Sequence, residues 1–60
     1  MIKEAIVQIK NEIGQTIKMI ENELEYESIN YGKIENHCFH ISNLSSEMSN
    51  LCYEIIKKTE

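Results

Sequence analysis

The sequence predicts an all-α protein: an antiparallel two-helix hairpin of coiled-coil type, expected to dimerise into a four-helix bundle. Three observations predict it. Apolar residues in the first half recur at helical spacing, the second half repeats every seven residues without a gap, and the apolar phase jumps between the two halves. The chain length supplies the expectation of a dimer. A 60-residue chain buries only about 60% of the surface that it exposes when unfolded, and a core of that size rarely contributes more than about 3–5 kcal/mol without a staple or a second chain.

The first element is a helix over about residues 2–29. Its apolar positions are Ile2, Ile6, Ile9, Ile13, Ile17, Ile20 and Leu24, spaced by 4, 3, 4, 4, 3 and 4 residues. At 100° per residue they fall within about 80° of arc, a narrow stripe. The pattern is a heptad with a four-residue stutter after Ile13, which relaxes left-handed supercoiling there. A turn follows at about residues 30–32, within Ser28–Lys33, where Gly32 can adopt the left-handed conformation that ends many helices.

The last element is a helix over about residues 33–58. Three heptads stack from Glu35 to Ile55, each with Asn at its second position. They put Ile34, Ile41, Met48 and Ile55 at a, His37, Leu44 and Leu51 at d, and Cys38, Ser45 and Cys52 at e. Folded at the turn, the helices match at six levels: Leu24 with His37, Ile20 with Ile41, Ile17 with Leu44, Ile13 with Met48, Ile9 with Cys52 and Ile6 with Ile55. The same register sets Glu21 near His40 and Glu4 near Lys57. The competing architecture, one helix through the whole chain, would be about 87 Å long at 1.5 Å per residue and would need Tyr31 to carry the seam across a phase jump of about 100°. The hairpin is the better fit, as a single domain over 1–60.

Composition narrows the function. Every acid is Glu and every base is Lys, with ten and six of them and a net charge of −4. Without Arg or a basic field, nucleic-acid binding is disfavoured. The longest apolar run is three residues, Ala5–Val7, so no membrane span is expected, and Met1–Glu4 lacks the apolar stretch of a signal peptide. The expected location is the cytoplasm, of a bacterium or a phage-infected bacterial host, because the Ile, Asn, Lys and Glu bias fits an AT-rich genome.

Chemistry has little to stand on. His37, Cys38, His40 and Cys52 point in diverging helical directions, so no metal or other cofactor is expected. On one helix the two cysteines stand about 21 Å apart along its axis, too far to bridge each other. A nucleophilic cysteine would need a base and a water-excluding cleft, and two thin helices provide little concavity. The chain is therefore read as non-enzymatic.

The residues that remain are surfaces. Ile6, Ile9, Ile13, Ile17, Ile20, Leu24, Ile34, His37, Ile41, Leu44, Met48, Leu51 and Ile55 form the expected core and dimer seam. Glu21 and Glu25, a like-charge pair four residues apart, with Tyr26 beside them, form a candidate acidic contact for a larger protein with a basic surface. Phe39, Ser46 and Tyr53, at f positions away from the seam, form a second candidate contact. The leading expectation is a small regulator or inhibitor, phage- or mobile-element-encoded, that dimerises and binds a larger protein. In topology alone, the expected dimer resembles the Rop family of plasmid copy-number proteins, four-helix-bundle dimers, which makes RNA binding the alternative; Lys3, Lys10 and Lys18 would have to carry it, with Glu4, Glu12 and Glu21 interspersed. A purely structural assembly subunit is the third expectation.

Overall fold

Spacings of three and four residues wind the isoleucines of the first half onto one face of a helix, and the computed structural model, which describes residues 1–59, forms it as α1 (Ile2–Leu24). The heptads of the second half form α2 (Tyr31–Thr59). The two helices pack against each other as a hairpin in a single layer, with Cα extents of 51 × 16 × 11 Å. That length excludes the continuous rod.

The link between the helices differs from the expected one. α1 ends at Leu24, five residues early, and α2 starts at Tyr31, so residues 25–30 make the connection. Glutamates explain the early end of α1. Glu21, Glu23, Glu25 and Glu27 crowd the negative end of the helix dipole, its last turn holds no basic residue, and like charges four apart repel. The chain tightens there, with Glu25 and Tyr26 donating to the carbonyls of Asn22 and Glu23 at 3.2 and 3.4 Å.

The start of α2 has an equally local cause, which is Asn30. Its side-chain Oδ1 accepts from the backbone N–H of Lys33 at 3.1 Å, satisfying a donor that the helix cannot. Ile29 and Ile34, both half-buried, stand where a hydrophobic staple would clamp the entry of the chain. Gly32 is therefore not a left-handed terminator. It is the second residue of α2, and no residue among those described has a positive φ. At its far end α2 is finished by Lys57 and Lys58 against the dipole and by the Thr59 hydroxyl, which donates to the Ile56 carbonyl at 3.0 Å.

Packing corrects the α1 stripe at two levels. The half-buried or buried positions of α1 include Ile2, Ile6, Ile9, Ile13, Thr16, Ile20 and Glu23, an unbroken heptad. Ile17 and Leu24, expected in the seam between the helices, are 45% and 52% exposed, and Thr16 and Glu23 take their levels. The reason lies in α2, whose apolar positions keep a strict seven-residue period. A helix that follows this seam must supercoil with it, so α1 presents every seventh residue, and the extra residue of its stutter turns Ile17 and Leu24 onto the flank. Thr16 tolerates burial because its hydroxyl donates to the Glu12 carbonyl at 2.9 Å. Ile55, at the open end, is also exposed.

Ion pairing also departs from expectation. Glu4 pairs with the N-terminal amine at 3.1 Å and Glu23 with Lys33 at 3.9 Å. The second pair joins the two helices beside the turn.

Three outcomes follow from this layout. Leu44 is the most enclosed apolar side chain; Leu44→Ala should cost about 2–5 kcal/mol, comparable to the whole stability of a core this size, so its helical circular dichroism at 25 °C should collapse while Leu44→Met keeps it. Asn30→Ala should destabilise by roughly 1 kcal/mol through loss of the cap, seen as a lower midpoint in urea at unchanged slope. A Cβ on Gly14 would meet nothing within 4 Å, so Gly14→Ala should stabilise by about 0.5–1 kcal/mol and raise the thermal midpoint, whereas Gly32→Ala, whose Cβ would press on the capping oxygen of Asn30 at 3.3 Å, should gain less or lose.

Candidate interaction surfaces

A hairpin one layer thick has a seam, two broad sides and two outer edges. The seam holds Ile9 and Leu44 as its buried apolar residues, with Ile6, Ile13, Ile20, Ile34, His37, Ile41, Met48 and Leu51 half-buried around them.

One broad side is wet and acidic. A groove there is lined by Ala5, Gln8, Ile9 and Glu12 from α1 and by Glu47, Asn50, Leu51 and Glu54 from α2. Three glutamates converge on it with no cation among the lining residues. The spacing of Glu47 and Glu54, both at g of the heptad, could have revealed it. Nearer the turn, a second groove on this side is lined by Met19, Asn22, Glu23, Tyr26, Lys33, Asn36 and His37.

The other broad side is mixed: exposed Lys3 and Lys10 share the heptad position of Ile17 and Leu24 on α1, and exposed Glu35 shares that of Ile56 on α2. On α2 it is bordered by the e positions Cys38, Ser45 and Cys52, with Ile34 and Ile56, and on α1 by Ile6, Ile13, Ile17 and Leu24. Both cysteines are free and exposed, and Ile56 is 56% exposed. The residues turned out of the α1 seam thus enlarge this side.

The sequence-derived contact residues separate. Phe39, Ser46 and Tyr53 lie on the outer edge of α2, directly away from α1, with the two aromatics 60% and 66% exposed. Tyr26 and Glu21 do not form one surface. Tyr26 lines the groove with Met19, while Glu21 lies about 160° around α1 from Met19, and Glu25 is the exposed residue that caps α1. Glu23, not singled out beforehand, is the acid engaged across the hairpin. His37 faces the seam half-buried, whereas His40 is exposed. Among the described residues no group of three His, Cys or Glu side chains is placed to hold a metal ion, and no helix is long and apolar enough to cross a membrane.

Comparison with protein-family models, with curated protein sequences and with solved structures returns no match for this chain.

Proposed function

We propose that this protein is an interaction module: a small regulator that self-associates, as a four-helix bundle of two hairpins, and acts in the cytoplasm by binding a larger protein. The observation that carries this reading is the pairing of a minimal seam with large unsatisfied apolar surface. A compact 60-residue chain would have a radius of gyration of about 10 Å; this layer measures 14.7 Å. Ile17, Leu24 and Ile56, exposed on the side opposite the acidic groove, call for another layer. Its outer α2 edge supports a different contact, because Phe39 and Tyr53 contribute nothing to the seam yet present two aromatic rings beside the small Ser46, the composition that binding centres favour.

The acidic side serves solubility in this scheme and disfavours anionic partners. RNA would meet a chain with net charge −4 and three convergent glutamates.

The test separates the two contacts. Phe39→Glu and Tyr53→Glu should leave the helical signal and the mass in solution as they are in the unaltered chain, and should abolish retention of whichever host protein the unaltered chain retains from its native cytoplasm. Undiminished retention by both variants would remove the outer edge of α2 from the mechanism.

A further inference from the structure

Nothing inside the hairpin requires Gly14 to be glycine. It sits in the middle of α1, where glycine weakens a helix, its φ is not positive, and a Cβ there would meet nothing within 4 Å. What a glycine does provide at such a place is close approach to the backbone from outside.

The residues around it on α1 indicate what approaches. With Ile6 and Ile13 at a and Ile9 and Thr16 at d of the buried α1 heptad, Lys3, Lys10, Ile17 and Leu24 fall at e, and Val7, Gly14 and Glu21 at b. The two rows lie about 60° apart and make one exposed stripe. Three of its members are apolar, with Val7, Ile17 and Leu24 exposed by 41%, 45% and 52%. Taken in chain order from Val7 to Leu24, the stripe reads Val, Lys, Gly, Ile, Glu, Leu.

That order is complementary to its own reverse. When two helices pack antiparallel along a stripe of two rows, each e residue of one lies opposite a b residue of the other. About a two-fold axis between Gln15 and Thr16, Val7 meets the partner's Leu24, Lys10 meets the partner's Glu21 and Gly14 meets the partner's Ile17, each pair occurring twice. Apolar meets apolar, cation meets anion, and a branched side chain meets the one position that has none. Lys3 lies beyond the last of these layers, level with the partner's Ser28. A slip of one heptad would set Lys3 against the partner's Glu21 and Val7 against the partner's Ile17, but it would leave Leu24 past the end of the stripe. Both registers place two Lys–Glu pairs in the stripe, so the leucines decide, because burying one contributes more than an exposed ion pair.

We propose that a second copy of the chain packs antiparallel on this α1 stripe, about that axis, with Ile17 of each copy seated over Gly14 of the other. On α2 the same axis passes close to Asn43, since Ile9 and Leu51 line one groove and Glu23 pairs with Lys33. The small Ser42 and Ser45 then meet their counterparts, Glu35 comes level with the partner's Cys52, and Ile56 comes level with the partner's Tyr31. This rests on the self-association proposed above and names the residues that carry it.

Sedimentation equilibrium of charge variants, in about 0.15 M salt where distant charges are screened, tests it. Lys10→Glu and Glu21→Lys each turn two attractive contacts into two repulsive ones. Each variant alone should associate at least tenfold more weakly than the unaltered chain. An equimolar mixture of the two regains both contacts in a heterodimer and should associate within threefold of the unaltered chain. Gly14→Ala should move two properties in opposite directions, raising the thermal midpoint at a concentration where the chain is single and weakening self-association at least fivefold. Lys3→Glu should change the association by less than twofold. A Lys10→Glu chain that dimerises as tightly as the unaltered one, a mixture that stays dissociated, or a Lys3→Glu chain that loses tenfold overturns the register and leaves self-association standing. An unaltered chain that stays single at every concentration up to millimolar overturns both.

Discussion

The strict seven-residue period of α2 is the constraint on which the rest of the structure depends. Ile34, Ile41 and Met48 at a, with His37, Leu44 and Leu51 at d, fix one seam direction along most of a 29-residue helix. Whatever packs there must supercoil with it. α1 has the richer stripe of isoleucine, yet it conforms to α2 and gives up Ile17 and Leu24 to do so. The consequence is unusual chemistry at the most enclosed level of α1, where threonine is buried and isoleucine is wet. A hydroxyl already satisfied by the carbonyl four residues back costs little there, and its small side chain lets the helices sit close.

That choice leaves apolar side chains on the flank of an already small core. With only Ile9 and Leu44 buried as apolar residues among those described, the seam alone cannot offset much of the conformational entropy lost on folding. The apolar groups left on the flank are useful only once something covers them. In a layer two helices wide, the side chains that could steady the fold and those that could meet a partner are hardly separable.

Much of this was legible in the sequence, for identifiable reasons. The two helices and their hairpin follow from periodicity, which is dense and unambiguous in both halves. The break comes earlier than Gly32 suggests because the glutamates from Glu21 to Glu27 end α1 at Leu24, and because the Asn30 cap, not the glycine, sets the start of α2. Caps are single hydrogen bonds, invisible to a count of apolar residues. Thr16 and Ile17 could not be told apart by periodicity on α1 alone, since its spacing fits a stutter better than a heptad; the decision belonged to the partner helix. The separation of Tyr26 from Glu21 followed from the early end of α1, which takes Tyr26 off the helical wheel. Phe39, Ser46 and Tyr53 were placed on the outer edge because the α2 heptads are regular enough to assign all seven positions.

The difference between e and g along α2 has one more effect. A slab of helices with two greasy faces would pile up without limit, each new layer offering the next a fresh place to adhere. Here Glu12, Glu47 and Glu54 line one face, so any stack begun on the opposite face ends with acid outward on both surfaces. The growth of such a stack would stop by itself at a finite size, with no fibre to follow.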